Sequence, residues 1–325
     1  MIASTTALAA EVNVYSARKE ALIKPILDDF SQQTGIKVNL VTGKADALIA
    51  RLRSEGKLSP ADLIISTDVG RLVRAKQAGL TQAQSLAGAA DRVAPQFRDA
   101  DAHWLALTLR ARPIMYASSR VKPEALSTML ALADEQWKGR ICIRSSGNIY
   151  NQSMVAAMME IYPQEQVSAW AKGMVDNFAR KPAGGDRDQI KAVAAGQCDI
   201  AVANTYYLAG MLNSQDPAEV KAAEQVSVYW PDQAGTGTHI NISGIAITKH
   251  AKNKQSAQQL IDFMLSDEAQ QWYAQANHEY PVVDGIEWSN TLIDMGTFKP
   301  QKVDLTAVGK ANAAALMLMD SAGWR

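Results

Sequence analysis

Apolar and polar residues alternate along the first 80 residues in short stretches that switch between strand and helix periodicity. Residues 12–16 alternate with the two-residue period of a strand, and the apolar residues of 22–30 follow at helical spacing until Gly35 ends the pattern. The predicted order is strand 12–16, helix 22–30, strand 36–41, helix 45–53, strand 62–66 and helix 70–78. This βαβαβα rhythm predicts a parallel sheet covered by helices on both faces.

The pattern restarts after a long apolar-alternating run at 104–115, which gives a second α/β unit. Its predicted elements are strand 140–144, a polar loop at 145–148, helices after it, helix 189–195, strand 198–203, strand 236–247, and later helices at 257–265, 268–276 and 313–319. Two α/β units joined by long strand-like segments near 105–116 and 238–247 predict two domains with crossover hinge strands and a ligand cleft between them. The predicted N-terminal domain comprises 11–110 with 240–288, and the C-terminal domain comprises 111–239 with 289–325.

The segment 196–207 is the most informative stretch, because a buried strand ends there in polar and aromatic residues. After the strand come Asn204, Thr205, Tyr206 and Tyr207, and a helix is predicted from residue 208. Neighbouring side chains converge on one point only where the backbone changes course, and ligands of open α/β sheets bind at such strand ends. Two packing aromatics at a domain surface are the alternative interpretation, since Tyr is ordinarily a partly buried residue.

The composition is that of an ordinary globular protein and gives no electrostatic argument for a nucleic-acid partner. Of 325 residues 47% are hydrophobic, and Lys plus Arg equals Asp plus Glu at 33 each. No run of 18 apolar residues predicts a transmembrane helix. Residues 1–10 are small and apolar and contain Ala7-Leu8-Ala9, which fits the cleavage pattern of a secretory signal. We therefore expect an export-signal remnant and a periplasmic protein, against the alternative of an uninformative terminus.

The chain has only two cysteines, which are too few for a disulfide scaffold. Their spacing is not that of a metal site. Cys142 and Cys198 each lie near the start of a predicted strand. If those strands are neighbours, the cysteines are cross-strand partners and form a disulfide. Two buried free thiols are the alternative.

At the level of motifs, the sequence resembles the periplasmic ferric-ion-binding proteins of bacterial ABC importers over nearly its whole length. The motifs are Val14-Tyr15-Ser16-Ala17-Arg18, Thr34-Gly35-Ile36-Lys37-Val38, Ser59-Pro60-Ala61-Asp62, Trp137-Lys138-Gly139-Arg140, Tyr150-Asn151-Gln152-Ser153 and Asn204-Thr205-Tyr206-Tyr207. The resemblance implies that Tyr150, Tyr206 and Tyr207 coordinate Fe³⁺. Tyr15 is a weaker candidate, for which packing beneath the cleft is the preferred interpretation.

The chemistry of these residues suits that cargo. Fe³⁺ is a hard cation that prefers anionic oxygen donors, and three phenolates neutralise its charge. The remaining coordination positions require another ligand, which in the family is often carbonate or another anion. Arginine holds planar oxyanions well. The predicted anion-binding residues are Arg110 first, then Arg18 and Arg112, with Asn204 and Ser145 as further candidates.

The family's histidine near the first strand is missing here, where Arg18-Lys19-Glu20-Ala21 stands instead. Thr67 occupies the position of a carboxylate ligand found in some members, which leaves Asp68 a weak candidate. We therefore expect the second domain to hold the iron and the first to contribute an arginine or the anion.

The resemblance implies a monomeric extracytoplasmic carrier that delivers Fe³⁺ to an inner-membrane ABC permease and its ATPase, and that meets the membrane only through the permease. A carrier of another small anion or organic solute is the alternative within the same fold. An enzyme is the alternative from a different class, and no phosphate-binding loop, G-x-S-x-G, H-E-x-x-H or C-x-x-C motif supports it.

Overall fold

The computed structural model describes residues 10–325, and its strands form two separate sheets. The predicted signal remnant at residues 1–10 therefore lies, apart from Ala10, outside the described residues. The strands are β1 Glu11–Ser16, β2 Lys37–Thr42, β3 Leu63–Ser66, β4 Leu105–Ala111, β5 Ile114–Ala117, β6 Ile141–Cys142, β7 Ile200–Val202, β8 Val226–Tyr229, β9 Ile240–Ile247 and β10 Tyr280–Pro281.

The α-helices follow the predicted helical stretches, with additions between them. They are α1 Lys24–Thr34, α2 Ala45–Glu55, α3 Val69–Gln77, α4 Ile149–Ile161, α5 Gln164–Asp176, α6 Asp186–Ala194, α7 Thr205–Leu212, α8 Pro217–Ala223, α9 Lys254–Met264, α10 Asp267–Ala276, α11 Asn290–Asp294 and α12 Leu305–Ser321. Strands β8 and β10 and helices α8 and α11 were not expected from the pattern. Within the described residues no helix is long and apolar enough to cross a membrane.

The first sheet has the strand order β10-β4-β9-β3-β1-β2. Strand β1 pairs in parallel with β2 and with β3, as the βαβαβα rhythm predicts. Strand β9 returns from far along the chain and pairs antiparallel with both β3 and β4. The expectation of a parallel sheet is therefore wrong for β4 and β9, because the sequence rhythm shows local crossovers and not the pairing of β3 with residues 178–184 positions away.

The chain crosses between the sheets twice. The predicted long strand at 104–115 is interrupted at Arg112 and Pro113, where proline supplies no N–H for a ladder. Strand β4 before this point joins the first sheet, and β5 after it joins the second, whose order is β6-β7-β5-β8. The second crossing runs from β8 to β9. The two-domain α/β fold of the sequence analysis is confirmed.

Helix α12 joins the two sheet units. It packs against α3 on one side and α4 on the other, and one apolar core continues from the first sheet through it to Trp170 and Trp324. Two glycines allow the close approach. A Cβ at Gly70 would lie 1.8 Å from Oδ1 of Asn312, and a Cβ at Gly309 would lie 2.5 Å from Cγ2 of Val73.

The two cysteines are bonded to each other in the structure. Strands β6 and β7 are parallel neighbours, and the Cα atoms of Cys142 and Cys198 are 5.9 Å apart. Cys142 lies opposite Ala201 in the ladder, so Cys198 reaches it from the turn before β7 and not from a paired strand position.

Candidate metal centre

Three helices of the second unit begin at one place, and each brings a candidate residue there in its first turn. Tyr150 is the second residue of α4, Tyr206 and Tyr207 are the second and third residues of α7, and Asp186 is the first residue of α6. The free N–H groups and positive dipole end of a helix N-terminus favour negatively charged oxygens nearby. The local backbone therefore favours anionic side chains at this place.

The three predicted tyrosines are in contact. The Tyr206 hydroxyl donates a hydrogen bond of 3.2 Å to the Tyr150 hydroxyl, and the rings of Tyr206 and Tyr207 lie 4.3 Å apart at an angle of 36°. All three line one cavity of about 630 Å³. Tyr206 and Tyr207 converge although they are adjacent, because the strand β7 gives way to α7 just before them.

The surroundings affect the three phenols differently. Burial opposes ionisation of Tyr150, but the guanidinium of Arg110 and hydrogen bonds from Thr67 and Tyr206 outweigh it and lower its pKa below the ordinary value. Burial raises the pKa of Tyr206 and of Tyr207, and the negative charge of neighbouring phenolates adds to both shifts. Before any cation binds, Tyr150 is thus the phenol most easily ionised and the natural hydrogen-bond acceptor of the three.

Arg110 lies behind Tyr150 and not in the cavity. Its guanidinium carbon is 5.5 Å from the centre of the Tyr150 ring, and the side chain is 1% exposed. One terminal nitrogen donates to Oγ of Ser243 at 2.8 Å, and the other donates to the carbonyl of Ile242. Two of its five N–H donors are thus used within the protein, and its role as the principal anion-binding arginine stays a prediction.

Arg112 and Asn204 belong to a buried network beneath the tyrosines. Arg112 donates to Asp186 at 3.1 Å, to Asn204 at 3.0 Å and to Asn151 at 2.7 Å. Neither Arg112 nor Asn204 lines the cavity that the tyrosines share. Their anion-binding role stays a prediction. Both line a smaller pocket together with Arg110 and Tyr150, and among the described residues Nε of Arg112 and Nδ2 of Asn204 have no hydrogen-bond partner.

Three arginines line the cavity: Arg18, Arg144 and Arg187, the last of which pairs with Glu219 at 3.1 Å. Arg18 comes from the first unit and is held by Glu279 at 2.9 Å and by Ser243 at 2.9 Å. Arg144 comes from the second unit, 3.6 Å from Asp186, with its guanidinium carbon 5.7 Å from the centre of the Tyr150 ring. Arg18 was predicted at the site. Arg144 was missed, although its position after a predicted strand and before a polar loop was a usable signal.

Ser145 is not part of the cavity wall. Its carbonyl accepts a hydrogen bond from Asn151 at 3.1 Å, and its neighbour Ser146 donates to Asp320 of α12 at 2.6 Å. The loop 145–148 therefore closes the N-terminus of α4 and anchors it to α12. The anion-binding role of Ser145 stays a prediction, since these contacts involve its carbonyl and the neighbouring Ser146.

Tyr15 lies apart from the other tyrosines. Its hydroxyl donates to the Glu55 carboxylate at 2.9 and 3.0 Å, and the guanidinium of Arg51 covers its ring at 4.8 Å. Since strand side chains alternate between faces, Tyr15 points towards α2, while its neighbour Ser16 points to the opposite face. The weaker interpretation of Tyr15 as a ligand stays a prediction, and the preferred interpretation of a packed strand residue agrees with its burial.

Among residues 10–325, no group of three or more His, Cys, Asp or Glu side chains is placed to hold a metal ion. His278 contributes to the cavity wall, and its Nδ1 lies 3.0 Å from Oγ of Ser289.

Comparison with known proteins places this architecture in one family. Residues 26–299 match the model of the bacterial extracellular solute-binding proteins. Iron uptake protein A1 of Synechocystis sp. is 44% identical over 100% of this chain and 90% of its own length. The iron- and citrate-bound structure of the Trichodesmium protein IdiA (FutA) has a TM-score of 0.93 at 44% identity, covering 97% of this chain and 100% of that one.

A second solved structure agrees with these matches. Ferric iron-binding protein A of Mannheimia haemolytica, in an open conformation, has a TM-score of 0.90 at 43% identity and covers 97% of this chain and 99% of that one. The resemblance to periplasmic ferric-ion-binding proteins is thereby confirmed, and so is the prediction of a binding protein over an enzyme. The chain belongs to the bacterial extracellular solute-binding protein family.

Proposed function

We propose that this protein is an extracytoplasmic Fe³⁺ carrier that binds its cargo through the phenolates of Tyr150, Tyr206 and Tyr207. The observation that carries the proposal is the convergence of three phenol hydroxyls on one cavity, with two of them 3.2 Å apart. Similar proteins support it by name, since they include iron uptake and ferric iron-binding proteins. Hard trivalent iron is the cation that this all-oxygen donor set suits best.

Loading requires the tyrosines to lose their protons. Burial raises the pKa of Tyr206 and Tyr207, so the charge of the bound cation must drive their ionisation. Binding consequently releases protons, and the affinity for Fe³⁺ falls as the pH falls. Tyr150, which already has a lowered pKa, is the first ligand to meet the metal.

The charges around the tyrosines call for an accompanying anion. The charged side chains that line the cavity are four cations and two carboxylates: Arg18, Lys19, Arg144, Arg187, Asp186 and Glu279. Because three phenolates neutralise Fe³⁺, the loaded site keeps two uncompensated positive charges. An anion with two negative charges restores the balance, and carbonate satisfies this.

Arg18 and Arg144 are the residues we propose to hold the anion. They reach the cavity from the two different units, so an anion between them would also draw the units together. The cavity of about 630 Å³ is far larger than carbonate needs, since one water accounts for about 30 Å³ of liquid. A hydroxycarboxylate such as citrate, which is present in the Trichodesmium structure, is therefore the second candidate.

The proposed biological setting follows from the family. We propose a periplasmic protein, exported by a signal of which residues 1–10 are the remnant, that works as a monomer and passes iron to an inner-membrane ABC permease with its ATPase. The domain division at 11–110 with 240–288 and 111–239 with 289–325 is part of this proposal. The placement of the strands in two sheets supports the division.

The test is a visible spectrum of chelator-stripped protein after addition of Fe³⁺ with bicarbonate or with citrate. Iron–phenolate bonding gives a strong charge-transfer band and a red or orange colour. If bicarbonate alone gives full colour, carbonate is sufficient as the accompanying anion. If colour develops with citrate but not with bicarbonate, a hydroxycarboxylate is the accompanying anion. Colourless protein under both conditions refutes the iron proposal and favours a carrier of another small anion or organic solute.

The anion proposal has its own pair of variants. Arg18→Met and Arg144→Met are each expected to make iron binding less dependent on the added anion, because each removes one side of its binding site. Arg92→Met changes an exposed arginine that pairs with Asp267, so it serves as the control. If the first two variants respond to the anion as the wild type does, the proposed anion site is wrong.

A further inference from the structure

Tyr150 is attached to the first sheet unit although it belongs to the second. Thr67, which directly follows β3, lines the same cavity as Tyr150, and the guanidinium of Arg110 in β4 lies 5.5 Å from the centre of the Tyr150 ring. One helical turn further along α4, Oγ of Ser153 donates to Oδ1 of Asp68 at 2.8 Å. Residues three apart share a helix face, so Tyr150 and Ser153 both face the first sheet unit.

Asp68 is fully buried, and every hydrogen bond it accepts comes from a different part of the fold. Its Oδ1 also accepts from the backbone N–H of Gly70 at 2.8 Å, which caps α3. Its Oδ2 accepts from Nδ2 of Asn241, in β9, at 2.9 Å. A buried carboxylate is costly unless it is paired or hydrogen-bonded in this way. One side chain thus joins α3, β9 and α4.

Ser153 is held from the opposite side by α12. Nδ2 of Asn312 donates to Oγ of Ser153 at 3.2 Å, and both side chains are buried. The Ser153 hydroxyl therefore donates a hydrogen bond to Asp68 and accepts one from Asn312. This leaves α4 little freedom to rotate or slide at the turn that follows Tyr150. The glycine contacts between α3 and α12 described above hold these two helices against each other.

We propose that Asp68 is a positioning residue for the metal centre, which acts through Ser153 to hold α4 and thereby the phenol of Tyr150. In this arrangement the first unit contributes to cargo binding without supplying a protein ligand. Its Asp68 fixes, through Ser153, the position from which Tyr150 meets Tyr206. The inference rests on the proposed function, because it concerns the geometry of the same site.

The test compares Ser153→Ala with Ser59→Ala in the full chain. Ser59 is a matched control, since it is also buried and also donates to a carboxylate, that of Glu55 at 2.7 Å, but in a part of the first unit that does not touch the three tyrosines. Three quantities are measured for each protein: Fe³⁺ affinity by competition with a chelator, the wavelength of the charge-transfer band, and the free energy of unfolding in urea.

Ser153→Ala is expected to weaken Fe³⁺ binding about tenfold and to shift the band, as loss of a hydrogen bond to a charged group implies. Ser59→Ala is expected to lower stability while leaving affinity and band unchanged. Asp68→Asn is a second variant and should weaken binding at least as much, because an amide nitrogen would face Nδ2 of Asn241.

The proposal is overturned if Ser153→Ala and Asp68→Asn both bind iron with wild-type affinity and an unshifted band. It is overturned as well if Ser59→Ala weakens iron binding to the same extent, since the effect would then follow general stability. A wild-type protein that shows no band with Fe³⁺ is a different result. It would reject the proposed function itself, whatever the variants do.

Discussion

Replacement of Arg112 by Met is expected to destabilise the fold strongly, although the sequence suggested that Arg112 binds an anion. The side chain is 1% exposed and donates to Asp186, Asn204 and Asn151. Methionine fills much of the same volume but leaves the buried Asp186 carboxylate without its nearest cation. Removal of one partner from a buried ion pair costs about 3–5 kcal/mol.

The structure places the expected loss at the lower end of that range. Asp186 keeps the backbone N–H of Asn204 at 3.1 Å and the more distant Arg144 at 3.6 Å, which offset part of the lost interaction. We therefore expect about 3 kcal/mol of lost stability. Arg92→Met is the control, because its pair with Asp267 is exposed and such pairs contribute about 0–1 kcal/mol.

The assay is urea unfolding followed by the fluorescence of the seven tryptophans. A double variant, Arg112→Met with Asp186→Asn, should recover part of the loss, because no buried charge then remains unpaired. The reasoning is refuted if Arg112→Met is as stable as Arg92→Met. It is also refuted if the double variant is less stable than the sum of its single changes.

Three further outcomes are expected from the structure. Tyr15→Phe should leave Fe³⁺ affinity and colour unchanged, since its hydroxyl is bound to Glu55, and a loss of colour on titration would restore Tyr15 as a ligand. Cys142→Ser with Cys198→Ser should lower the free energy of unfolding by about 2–4 kcal/mol, because the bond closes a loop with a sequence separation of 56; unchanged urea midpoints would contradict this. Burial, together with the nearby charges of Arg112 and Arg110, lowers the pKa of His239 in the folded protein to about 4. In the unfolded chain the pKa is about 6.5. The neutral histidine therefore contributes its full stabilisation above about pH 6.5, and this contribution is lost as the pH falls towards 4. Between about pH 7 and pH 4.5, the wild type should therefore lose about 2–3 kcal/mol more free energy of unfolding than His239→Leu. Equal losses would refute the lowered pKa of His239.

The sequence predicted those features of the fold and site that depend on local pattern. Periodicity located β1 to β3 and the helices between them, because each element repeats with its own period. The position of Tyr206 and Tyr207 at a strand-to-helix junction was predictable for the same reason. The antiparallel pairing of β9 with β3 was not predictable, because pairing between residues so far apart in the sequence leaves no local sequence pattern.

The roles of the arginines show the same limit at the level of side chains. Arg110 and Arg112 have identical chemistry and lie two residues apart, and both looked suited to bind an anion. Their partners, Ser243 and Asp186, come from distant segments, and those partners engage part of each guanidinium. Arg144 follows β6 and lines the cavity of the three tyrosines. Which arginine is available to a ligand is thus decided by tertiary contacts.

The central claim is that three phenolates bind one ferric ion, and a titration at the charge-transfer band tests it most directly. Fe³⁺ is added in portions, with the supporting anion, to the wild type and to Tyr150→Phe, Tyr206→Phe and Tyr207→Phe, with Tyr116→Phe as the control. The account predicts an end point of one iron per chain for the wild type and Tyr116→Phe, and weaker binding with a shifted band for each of the other three. A colourless wild type, or three site variants that titrate like Tyr116→Phe, would contradict it.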